Sequence, residues 1–160
     1  MDDVTWLDSD EHTAWVRLMA VLTLLPGALD TQLSRDAGLN HFEYFTMAML
    51  SEAPGRVLQM SALASRTNAT LPRLSRVVSR LEAAGYVERS PCPEDGRATN
   101  ATLTEAGWDT VVEAAPGHVR TARELVIDAL EPEQVGQLAE IARRILTTLD
   151  PGQKMVATSG

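Results

Sequence analysis

One cysteine, Cys92, stands in 160 residues, so no disulfide can close within the chain, which suits a reducing cytoplasm. Aromatic residues are only 4% of the sequence, and Ala and Leu dominate, a balance that favours helix over sheet. No run of about 18 uninterrupted apolar residues occurs, so no membrane-spanning segment is expected. Met1-Asp2-Asp3 is acidic where a secretory signal would be basic and then apolar. A nucleophile elbow, a phosphate-cradling Gly loop and a His-Glu-x-x-His pair are all missing, so an enzyme is not expected. His12, His41 and His118 have neither helical nor finger spacing and no cysteine joins them. Neither a metal site nor a cofactor is therefore expected.

What is there suffices for a core. Hydrophobic residues make up 44% of a chain the length of one domain. The net charge of −8 argues at first against a nucleic-acid partner, but the charge is unevenly placed. Between Arg56 and Arg97 lie seven basic and four acidic residues, a net +3, while the remainder carries −11. A basic island in an acidic protein is an electrostatic footprint for phosphate.

Trp15, Leu18, Leu22, Leu25, Leu29 and Leu33 recur at helical steps in a first long helix opening near Ser9 and ending at Gly38, with a kink expected at Pro26-Gly27. Asn40-His41-Phe42-Glu43 has the spacing of a capping box and opens a second helix that runs to Ser51. Arg56-Val57-Leu58 is a short extended piece, Ser61 caps a short third helix, and Thr70 caps a fourth that Gly85 terminates. The period then falls to two in Tyr86–Arg89 and Ala98–Leu103, a hairpin around a turn-rich tip. Thr104 caps a fifth helix, with an interruption expected near Pro116-Gly117 and an end near Leu130. Pro132 opens a sixth, whose Val135, Leu138, Ala142, Ile145 and Leu149 form a nearly heptad stripe.

A short helix, the tight connection Asn68-Ala69 and a helix displaying Arg73, Arg76 and Arg80 make a helix-turn-helix pattern. Leu74, Val77, Val78 and Leu81 supply a buried face, while Thr70, Pro72, Arg73, Ser75, Arg76 and Ser79 offer short donors and forked cations that suit base edges. Taken alone, this helix reads equally as an ordinary amphipathic helix with a solvated arginine face.

The hairpin distinguishes the two. Leu81-Glu82-Ala83-Ala84-Gly85-Tyr86-Val87-Glu88-Arg89, then Asp95-Gly96-Arg97 and Leu103-Thr104-Glu105-Ala106-Gly107, resemble the recognition-helix junction and wing signature of the MarR family of regulators. The resemblance in element order covers roughly Asp10 to Leu149. It implies a mostly α fold with a small β-hairpin wing: a winged helix-turn-helix DNA-binding lobe over 39–103, a helical dimerisation region over 1–38 and 104–150, and a flexible tail over 151–160. It further implies a cytoplasmic, sequence-specific DNA-binding transcriptional regulator, a repressor that binds a palindromic operator in double-stranded DNA as a homodimer. Arg97 would enter a minor groove with Asp95 paired to it; Thr70, Arg73, Ser75 and Arg76 would work in the major groove; Arg80 and Arg89 would serve phosphates or the wing base. The apolar stripes of the first, fifth and sixth helices independently ask for a partner surface. The alternative is a winged-helix protein-interaction module without specific DNA binding.

Family members commonly hold a small aromatic or anionic effector between the two regions, where Trp15, Met19, Tyr44 and Met47 would line the cleft. Simple core packing accounts for the same four residues. Cys92 lies in the wing between two prolines, away from the first helices where oxidant-sensing relatives place their cysteine.

Overall fold

The computed structural model describes residues 4–155. Six helices and a three-stranded antiparallel sheet follow in the order α1 (Ser9–Ala37), α2 (His41–Ser51), β1 (Val57–Gln59), α3 (Met60–Arg66), α4 (Leu71–Ala83), β2 (Val87–Pro91), β3 (Thr99–Leu103), α5 (Glu105–Leu125) and α6 (Pro132–Leu149), with short 3-10 turns before β1 and after α5. The expected mostly helical, winged architecture is what forms.

Local chemistry sets most boundaries. Asp8 rather than Ser9 caps α1, its carboxylate accepting from the Asp10 and Glu11 amides, with Glu11 closing the box. Asn40 and Glu43 close the corresponding box on α2 at 2.8 and 2.9 Å. Thr70 and Thr104 cap α4 and α5. Ser61 does not cap α3: the helix starts two residues earlier, at Met60, with Gln59 in the cap position and no side-chain cap. Asn68 takes the left-handed conformation (φ 47°) in the connection from α3 to α4, which Asn tolerates better than most residues.

The interruption expected near Pro116-Gly117 does not occur. α1 runs unbroken through Pro26, and α5 through Pro116 to Leu125. A proline removes one helical donor and orphans the carbonyl four residues back. Those carbonyls belong to Leu22 and Val112, both in exposed positions, where water can satisfy them. Asp150 accepts from the amides of Lys154 and Met155 at 3.0 and 2.9 Å, closing residues 151–155 into a turn. The remaining tail, 156–160, lies outside the described residues, as does Met1-Asp2-Asp3.

β3 is the central strand, pairing with β1 (Leu58 opposite Ala101) and β2 (Arg89 opposite Ala101). The short extended piece is thus a third strand anchoring the hairpin to the helices. The core joins Leu33, Met47, Leu50, Leu63, Leu74, Val78, Leu81, Val87 and Leu103, drawing on α1 to α4, the wing and the start of α5. Gly107 in the first turn of α5 lies so close to the wing base that an added Cβ would run into the Tyr86 carbonyl. The core is therefore confined to the central lobe. Of α1's 29 residues only Gln32 and Leu33 are buried, and α6 buries none. By length and composition alone α1 is apolar enough to cross a membrane, although it holds no run of about 18 uninterrupted apolar residues. Arg17 and Thr23 break such runs without offsetting the apolar content around them.

Candidate nucleic-acid interface

α4 presents two faces. Leu74, Val77, Val78 and Leu81 are buried, and the opposite side exposes Pro72, Arg73, Arg76, Ser79 and Arg80. The Thr70 hydroxyl accepts from the Arg73 amide, at 3.4 Å, so the residue expected at the base edges is also the helix cap. The Arg73 guanidinium lies over the Phe42 ring, 4.2 Å from its centroid. Arg80 Nε donates to Glu43 Oε1 at 2.8 Å. Among the described residues Arg76 has no ion-pair partner.

Arg89 on β2 ties the wing to α4. Its backbone amide and guanidinium donate to the Glu82 carboxylate at 2.6–3.0 Å, and it reaches Ser79 Oγ at 3.0 Å and Ser75 Oγ at 3.4 Å. The hydrogen bonds from Arg89 hold the Glu82 carboxyl below its ordinary pKa. Ser75 therefore contributes to the wing base as well as to the exposed face.

At the wing tip the expected Asp95–Arg97 pairing takes a different form. Asp95 Oδ1 accepts from the Arg97 backbone amide at 3.0 Å, not from the guanidinium. An Asp side chain bonding two residues onward fixes a turn by itself, and the Arg97 side chain is left exposed with no ion pair among the described residues. Cys92 is 3% exposed and donates to Glu94 Oε2 at 3.1 Å, so the thiol sits inside the tip. Between α4 and the wing opens a cleft of about 460 Å³ lined by Ser61, Leu71, Ser75, Arg89 and Arg97. A second groove of about 470 Å³ on the other flank of α4 is lined by Asn40, Phe42, Arg73, Arg76 and Arg80. Of the basic island, Arg56, Arg80 and Arg89 are ion-paired to Glu105, Glu43 and Glu82. Arg66, Arg73, Arg76 and Arg97 have no such pair among the described residues.

The four effector-cleft candidates do not gather in one place within the chain. Met47 is wholly buried and Tyr44 nearly so, whereas Trp15 and Met19 are exposed on the N-terminal half of α1. At a rise of about 1.5 Å per residue, Trp15 stands about 27 Å along the helix from Leu33, where α1 enters the core.

Sequence reasoning did not single out the polar junction around Tyr44. The Tyr44 ring lies 4.8 Å from that of His118, which stacks on His41 at 6.1 Å. His118 Nδ1 and the nearby Gln32 Oε1 are buried without a hydrogen-bond partner among the described residues. Burial pushes both imidazoles below their ordinary pKa of 6.5; Asp30 partly offsets this at His41, and His41 adds to it at His118. The fold thus favours the neutral rings, so their contribution is full above about pH 6.5 and lost as pH falls from there through the folded values. Thermal unfolding is expected at lower temperature at about pH 5.5 than at pH 7.5, with part of that slope removed by His118→Phe. A melting temperature that is flat across this window rules out the neutral-ring argument.

Comparison with known proteins decides what the geometry belongs to. The MarR family model matches residues 37–98. Sco3205, a MarR-family transcriptional regulator from Streptomyces coelicolor solved in complex with DNA, is 42% identical, with 94% of each chain covered and a TM-score of 0.89. The chain belongs to the MarR family. AbsC, another MarR-family transcriptional regulator from Streptomyces coelicolor, is 36% identical over 91% of this chain and 98% of its own, with a TM-score of 0.86. The transcriptional repressor MprA of Escherichia coli (strain K12) is 30% identical over 118 residues, 71% of this chain, which spans 64% of MprA's length. The relatives named here are transcriptional regulators.

Proposed function

We propose that this MarR-family regulator binds a palindromic operator as a homodimer and represses transcription, acting in the cytoplasm where the DNA is. The observation that carries the DNA-binding reading is the set of exposed arginines without ion pairs among the described residues: Arg73 and Arg76 on one flank of α4, and Arg97 at the wing tip beside the α4–wing cleft. Thr70, Pro72 and Ser75 share that face, Arg80 keeps its terminal nitrogens free for phosphate, and Asp95 shapes the tip. The identity with Sco3205, solved in complex with DNA, supports the same use of these elements, and MprA's description as a repressor supports the sign of regulation. Residues 39–103 would serve as the DNA-binding lobe, with 1–38 and 104–150 as the dimerisation region. The exposed apolar positions on α1, α5 and α6 support that division. A small aromatic or anionic effector would act at the junction of α1, α2 and α5, where Tyr44 meets His118 and buried polar atoms lack partners. It would shift the arrangement of the two recognition helices by its differential affinity for them.

The test is binding across a salt series, on a genomic fragment selected by the protein and on random DNA. With three or four arginines per chain on phosphate, a dimer displaces counterions at about six to eight phosphates, so log K is expected to fall against log salt with a slope of roughly −5 to −7. Random DNA should bind at or above about 10⁻⁵ M near physiological salt. A slope near zero would return the arginines to the protein-interaction reading.

A further inference from the structure

Three consecutive residues at the start of α2 reach three different partners. The His41 amide donates to Asp30 Oδ1 of α1 at 2.9 Å. The Phe42 ring carries the Arg73 guanidinium, 4.2 Å from its centroid. Glu43 divides its carboxylate: Oε2 accepts from the Asn40 amide at 2.9 Å as half of the capping box, and Oε1 accepts from Arg80 Nε at 2.8 Å. The Glu43 side chain is only 12% exposed and that of Arg80 is 60% exposed. A sheltered carboxylate already fixed by its own helix cap thus grips the inner nitrogen of an arginine whose two terminal nitrogens have no hydrogen-bond partner among the described residues. The Phe42 ring likewise sits against the Arg73 guanidinium, while no ion pair among the described residues occupies its nitrogens. Arg76, between them on the same groove, has no comparable hold. Immobilising a rotamer-rich side chain opposes binding, and an arginine already held in place avoids that cost when its ligand arrives.

We propose that Phe42 and Glu43 are positioning residues of the DNA interface, holding Arg73 and Arg80 in the posture in which their outer nitrogens meet DNA. The proposal rests on the DNA-binding reading above. It differs from a purely structural role for the first turn of α2, and two substitutions separate the roles. Glu43→Gln keeps an acceptor for the Asn40 amide, since glutamine serves in capping boxes, but removes the charge that holds Arg80. Phe42→Leu keeps apolar bulk and removes the π face.

The experiment measures affinity of the full chain for the genomic fragment selected by the wild type. It compares Glu43→Gln alone and with Arg80→Ala, and Phe42→Leu alone and with Arg73→Ala. Each positioning variant is expected to weaken binding about fivefold, summed over both halves of a dimer, with the melting temperature unchanged. Each loss should vanish once its arginine is alanine, because nothing is left to position. Equal losses in both backgrounds assign the turn a structural role and overturn the proposal, as does tighter binding by Glu43→Gln, which would mean that Glu43 masks Arg80. A wild type that binds no DNA sinks the function proposed above and this inference with it, whereas intact wild-type binding with unaffected variants sinks this inference alone.

Discussion

Replacing Arg76 with alanine is expected to cost about 1–3 kcal/mol per half-site on operator DNA and much less on random DNA. Arg76 stands on the exposed face of α4 without an ion pair among the described residues, so its truncation orphans no carboxylate and should leave folding stability nearly unchanged. A guanidinium there can bridge the O6 and N7 atoms of guanine, a contact that wrong sequences do not offer. Arg97→Ala should behave differently. Its guanidinium projects from a turn that Asp95 closes through the backbone, so the wing keeps its shape without the side chain. A minor groove attracts arginine by its width and potential, which depend only partly on sequence. Arg97→Ala is therefore expected to weaken binding to selected and random DNA alike. Fluorescence anisotropy on both DNAs checks the division; equal losses from both substitutions on both DNAs would show that the helix and the wing do not divide the work.

The parts of this interface that were legible in the sequence are those with a local signature. The capping box of α2, the buried stripe of α4 and the change of period at the wing each occupy a few neighbouring residues, and the structure keeps them. Failures have two physical sources. Pro116 reads as a break because a proline's local cost is visible in sequence, whereas the exposure that lets water satisfy the orphaned carbonyl is a tertiary property. Phe42 and Glu43 were missed as partners of Arg73 and Arg80 because 31 and 37 positions separate them, and no spacing rule spans such distances. Glu43 was visible, but as a capping residue, and that role concealed the second use of its carboxylate. The Asp95–Arg97 proximity was legible from sequence; whether backbone or guanidinium would answer the carboxylate was not.

Placing a charge on the outer face of α1, as in Leu24→Asp, is expected to abolish assembly and with it specific DNA binding. The monomer has too much surface for its size. A compact chain of this length would expose roughly 8,000 Å², and this one exposes 10,895 Å². The excess of about 3,000 Å² per chain exceeds the roughly 800 Å² each partner contributes to a standard interface. Much of what is exposed is apolar: Trp15, Val21, Leu22 and Leu24 on α1, Val119 and Leu125 on α5, and Ile141, Ile145 and Leu149 on α6. Leu24, 72% exposed, lies at an apolar recess of about 240 Å³ that Leu125 and Val126 share. Two-fold symmetry uses each such position twice, so one substitution buries two carboxylates in an apolar interface. A total interface above about 2,000 Å² is expected, in the range where protomers do not persist apart. Light scattering should find the wild type as a dimer at micromolar concentration, and Leu24→Asp as a monomer or an aggregate that no longer binds the selected fragment. Removing α6 by ending the chain after Glu131 should yield insoluble or unfolded protein, since it strips an apolar stripe that would face the partner in the proposed dimer. A wild type that stays a stable monomer would defeat the assembly outright, and a Leu24→Asp protein that remains a dimer would move the interface off this face of α1.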